Sequence, residues 1–171
     1  QREIMPPVNV QALMAEDAAE ESKALPFRFG APFDVNYSLE NSGTWEDLPD
    51  GGRIWRITFS SPGAYSINLI YSTYHLPEGA QLFVYNSDHS QVIGAFTAKN
   101  NKPHGEMATQ PVAGDEITVE YYEPAAVVYE GKLTISRVVH AYRDIFKTVK
   151  DALDFGGSGS CNNNVNCPEG A

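Results

Sequence analysis

The residue types that could carry chemistry are present in this sequence, but they stand apart from one another. Nucleophilic catalysis needs a Ser, Cys or Thr beside a base that a third group orients. None of the contexts that supply those roles occurs: there is no G-x-S-x-G elbow, no H-E-x-x-H helix, no G-x-G-x-x-G and no phosphate loop. His75, His89 and His104 each fall in a turn or loop, where a solvated imidazole is the ordinary outcome. His140, in RVVHAYRD, alternates with Val138 and Tyr142 along a strand and reads as a partly buried histidine hydrogen-bonded to a neighbour such as Asp144. Glu46 and Asp47 lie close to Asp50, and Asp115 adjoins Glu116. A hard cation needs several oxygens converging from a loop of defined spacing, and glycoside hydrolysis needs a carboxylate pair across the scissile bond. The spacing specifies neither, and these acids read as solvated turns that keep a sheet edge charged. No cofactor is assigned, with a cation at those turns left open. Trp45, Trp55, Tyr121 and Tyr122 have the type for a sugar-stacking platform, although aromatics at strand spacing ordinarily pack in a core.

The two cysteines, Cys161 and Cys167, are separated by five residues in a Gly- and Asn-rich stretch. They have neither C-x-x-C redox spacing nor the second ligand pair of a zinc site. They read as disulfide-forming, either with each other across a small loop or with cysteines elsewhere, which would tie the stretch to another polypeptide segment. The rest of the sequence then folds without disulfide or metal.

The elements that must position these residues are mostly strands. From Phe33 to about Tyr142 the apolar period is two. FDVNYSLE puts Val35, Tyr37 and Leu39 on one face, RIWRITF puts Trp55, Ile57 and Phe59 on one face, and AYSINLIYSTY aligns Tyr65, Ile67, Leu69 and Tyr71. In QLFVYN, Leu82 and Val84 alternate with Phe83 and Tyr85. QVIGAFTA, GEMATQPV, DEITVEYYE and GKLTISRVVHAY complete eight or nine short strands, with turn-rich breaks between them. With no helix between strands, the expected fold is all-β, a two-sheet antiparallel sandwich of jelly-roll or Greek-key type spanning 33–145. Residues 1–32 form an N-terminal arm with a helix within 8–25, either frayed or docked on a partner. Residues 146–157 form a short helix and linker, and the tail from 158 is too polar to bury a core.

A net charge of −10 without a basic cluster argues against nucleic acid and anionic lipid as partners. No apolar run approaches the roughly 18–20 residues of a membrane span. A chain starting at Gln1 reads as a product whose export signal has been removed.

Two stretches add a resemblance. SGSCNNNVNCPEG (158–170) resembles the opening of the catalytic domain of lysyl endopeptidase-like, trypsin-fold serine proteases. Upstream, GGRIWRITFSSPGAYSINLIYSTYHLPEGAQLFVYNSD, PVAGDEITVEYYEP and VVHAYRD resemble the β-sandwich domain that precedes such proteases in secreted bacterial proteins, especially of the Bacteroidetes type. The resemblance implies a precursor that is secreted or periplasmic, with sandwich, linker and protease in that order. It implies that Cys161 and Cys167 bond to cysteines of the protease barrel outside this sequence, and that maturation cuts near Phe155, Gly156, Gly157 and Ser158. The family's catalytic His, Asp and Ser belong after the CPEG segment, in A-H-C and G-D-S-G-G motifs, and the sequence stops at Ala171 without them. This chain is therefore expected to be inert by itself. The implied role is a pro-domain or accessory domain that assists folding, inhibits, or positions substrate, with the cognate protease domain as its partner. The alternative is a module fused to the protease that binds carbohydrate, a cell surface or a protein substrate.

Overall fold

A computed structural model describes residues 1–20 and 27–147. Eleven strands and one long helix follow in the order β1 (Arg2–Ile4), α1 (Val10–Glu20), β2 (Gly30–Ser38), β3 (Thr44–Asp47), β4 (Arg53–Ser60), β5 (Ser66–His75), β6 (Gln81–Asn86), β7 (Val92–Phe96), β8 (Met107–Ala108), β9 (Val112–Ala113), β10 (Glu116–Glu123) and β11 (Lys132–Ala141). One sheet runs β1-β4-β10-β6-β7 with β3 also on β4, and the other runs β2-β11-β5-β8 with β9 also on β5. The chain crosses between the sheets at five of the seven steps from β4 onward, which builds the expected two-sheet sandwich.

The two-residue period sets which side chains form the core. Trp55, Ile57 and Phe59 of β4 meet Ile117, Val119 and Tyr121 of β10 in register, and Leu82 and Val84 of β6 continue the layer. Ile67, Leu69 and Tyr71 of β5 face them from the other sheet, with Leu133, Ile135 and Val138 of β11. All of these are buried. Burial contributes about 1.5–3 kcal/mol for each large apolar side chain. Trp55 also needs its indole N–H satisfied, and Nε1 donates to the Ser42 carbonyl at 2.7 Å. The neighbouring Gly43 has φ +75, and a Cβ there would stand 2.2 Å from the Trp55 ring nitrogen, so only glycine fits both the backbone and the space.

Three expectations need correction. The N-terminal arm is part of the sandwich: β1 pairs parallel with β4, Arg2 opposite Thr58 and Ile4 opposite Ser60, and Met5 is buried. Arg2 bonds Glu116 at 2.6 Å, and Tyr37 Oη donates to Glu3 at 3.1 Å. A three-residue strand has too few positions to show a period, so it reads as polar terminus from sequence alone. The next strand begins at Gly30 rather than Phe33. Tyr65 precedes β5 instead of continuing its inner face, and stays 53% exposed. The helix expected after the last strand starts at Ile145, with Asp144 accepting from the Lys147 N–H at 3.0 Å as its cap. The rest of it, the linker and the tail from Ser158 lie outside the described residues. Among the described residues no helix is long and apolar enough to cross a membrane.

Candidate functional site

β11 enters the sandwich at Lys132 and leaves it at Ala141, so its ten residues carry the chain about 30 Å from one end to the other. The two ends are built differently. At the entry end, loops 48–52, 76–80 and 124–131 converge. Tyr129 stacks on His75 with ring centroids 4.8 Å apart and donates to the Leu76 carbonyl at 2.9 Å. Beneath them Glu123, 2% exposed, accepts from Arg53 Nε at 2.8 Å, Tyr121 Oη at 2.7 Å and the Gly131 N–H at 2.8 Å. Arg53 lies over the Trp45 ring, 4.3 Å from its centroid. Burial alone would raise the Glu123 carboxyl, but the bonds from Gly131, Tyr121 and Arg53 together hold it below its ordinary value. Every lone pair of this buried charge that faces the protein is used, which is the signature of a structural ion pair.

At the exit end, α1 is tied to the departing chain by one carboxylate. Asp17 accepts from Arg143 Nη2 at 2.8 Å, Arg28 Nε at 2.7 Å and Tyr142 Oη at 2.7 Å. These bonds, that from Arg143 foremost, hold Asp17 down to about 2. Arg28 also reaches Glu16 and the Leu13 carbonyl, and Phe29 O accepts from the Tyr142 and Arg143 N–H groups. Beside this clamp, the turn after β4 brings Ser61 Oγ to 2.8 Å from His140 Nδ1. Both side chains are fully buried, and burial lowers the His140 pKa. The histidine thus bonds Ser61 rather than Asp144. Its other nitrogen, Nε2, has no partner, and neither do Ser66 Oγ and Arg143 Nε.

A serine beside a histidine invites a catalytic reading, which the geometry rejects. The pair is closed to solvent, and no carboxylate orients the ring. His89 and His104 lie in loops, His89 against Tyr85 and His104 accepting from the Glu106 N–H, whereas His75, expected in a loop, closes β5. Glu46 pairs with Arg56 at 2.7 Å, Glu116 pairs with Arg2, and Asp47, Asp50 and Asp115 are exposed. Among the described residues no three His, Cys, Asp or Glu side chains gather to hold a metal ion. Trp55 and Tyr121 belong to the core, and Trp45 packs edge-on to Tyr121. Tyr122 alone of the four stands on the outer face, opposite Gln81 of β6 and diagonal to Phe83, whereas Tyr85 lies further along, opposite Thr118. Cys161, Cys167, Phe155, Gly156, Gly157 and Ser158 lie outside the described residues.

Sequence patterns missed Asp17 and Arg28 because the clamp joins residues up to 126 positions apart. The only local signal was the acid at a helix position followed by arginine after the break.

A family model for the lysyl endopeptidase N-terminal domain matches residues 3–142. The match starts inside β1 and stops at Tyr142, the residue after β11, so it coincides with the folded sandwich and includes the arm. The chain belongs to the lysyl endopeptidase N-terminal domain family.

Proposed function

We propose that this chain is the non-catalytic pro-domain or accessory domain of a secreted, trypsin-like serine protease precursor, and that it acts on the protease that follows it. The observation that carries this reading is the family match, which ends where the polypeptide leaves the sandwich toward a Gly/Ser-rich linker. In this reading Cys161 and Cys167 bond within the protease barrel, and processing near Phe155, Gly156, Gly157 and Ser158 frees the sandwich. A folded pro-domain that binds only the native protease stabilises it by mass action.

The test adds the purified chain to denatured protease domain during refolding, and separately to the native enzyme. A rise in refolding yield or a fall in activity supports the role. No effect on either contradicts it. Intact mass and N-terminal sequencing of the secreted protein then separate the two forms: a cut before Ser158 marks a removable pro-domain, and an uncut chain a permanent accessory domain. A second reading, a carbohydrate-binding module, draws on Tyr122 and the diagonally placed Phe83 on the outer face. Saturable polysaccharide binding that Tyr122→Ala abolishes would favour it.

A further inference from the structure

Four large apolar side chains left in solvent surround the point where the chain leaves the sandwich: Ile4 at 68% exposure, Phe27 at 65%, Tyr65 at 53% and Met14 at 41%. Their placement follows from printed contacts. Ile4 pairs with Ser60 at the end of β4, the Tyr65 N–H bonds the Ala141 carbonyl, Phe27 lies under the Arg143 guanidinium at 5.3 Å, and Met14 sits on the helix that Asp17 clamps to Arg143. The helix itself buries none of its described side chains. Eleven residues are too few for a stable helix in water without tertiary support, and here that support is largely one carboxylate. The exposed apolar side chains and the open helix together describe a surface made to be covered.

Resting on the proposed function, we infer that this end, and not the loop end, is the docking surface for the protease domain that begins near Ser158. Only ten residues, 148–157, separate Lys147 from Ser158, a reach of at most about 40 Å. A domain on that tether starts at the exit end, and the loop end, about 30 Å away along β11, is reached only when the tether is nearly fully extended. So short a tether holds the partner at roughly millimolar effective concentration, enough for a patch of modest area. Exposed Glu16 and Asp115 at this end call for an apolar partner face with basic residues at its rim.

The test titrates the 171-residue chain with separately produced protease domain whose nucleophile has been replaced. The Met14→Glu, Tyr65→Glu double variant is expected to weaken binding at least tenfold, while Val128→Glu at the opposite end leaves it within twofold. All three positions are solvent-exposed, and circular dichroism with thermal midpoints confirms that the variants are folded. Wild-type affinity in the double variant, or weakening by Val128→Glu alone, overturns the surface assignment and leaves the functional reading standing. No binding by the wild-type chain overturns the functional reading, and the surface with it.

Discussion

The loop end and the exit end of this sandwich spend the same side-chain types on different purposes. Each centres on a carboxylate gripped by arginine and tyrosine. Glu123 is sealed beneath three loops and satisfied on every side, so it holds β4, β10 and the 124–131 loop in one arrangement. Asp17, 12% exposed, joins the helix to Arg28 ahead of β2 and to the departing chain, amid apolar side chains left in solvent. The contrast teaches that a saturated buried ion pair marks scaffold, whereas a clamp with open neighbours marks a surface still to be used.

The comparison is broken most directly at Glu123. Glu123→Ala leaves the Tyr121 Oη and the Gly131 N–H without a partner and Arg53 with only Glu130 at 3.7 Å, and is expected to destabilise the domain by about 2–4 kcal/mol. Urea unfolding followed by tryptophan fluorescence reads this, and a loss under 1 kcal/mol would remove the scaffold role.

The second largest effect is pH-dependent and belongs to the exit end. Burial lowers the folded-state pKa of His140 below its ordinary 6.5, so the contribution is complete above pH 6.5 and is lost as pH falls through that value toward the folded pKa. The thermal midpoint is expected to drop between pH 7.5 and 5.5, and His140→Asn to flatten that slope while lowering the midpoint at pH 7.5. An unchanged slope in the variant assigns the acid sensitivity elsewhere.

A smaller and local effect is expected from Asp17→Asn. Its global unfolding midpoint should move little, while limited proteolysis within 10–28 accelerates as the clamp on Arg28, Arg143 and Tyr142 loosens. A large cooperative loss instead would make this end scaffold too. Val128→Glu, at a position 97% exposed, is expected to leave stability within 0.5 kcal/mol.

The strands were legible because a half-buried strand writes its two faces into alternating residues, as in Trp55, Ile57 and Phe59. Burial of His140 was legible for the same reason, but its partner was not. Asp144 is nearby in sequence, whereas Ser61 comes from the turn that packs against β11 from 79 residues away. The same limit hid β1, too short to carry a period, and the Asp17 clamp, whose members share no element. Among the aromatics, period two separated Tyr121 from Tyr122, core from outer face, although both had been grouped as one platform.

Hydrogen exchange of this chain, alone and joined to its protease domain, tests the central claim most directly. Engagement of the exit end requires added protection in residues 10–20, 27–29 and 61–66, with no change in 124–131. Protection confined to 124–131, or exchange identical in both forms, would contradict it.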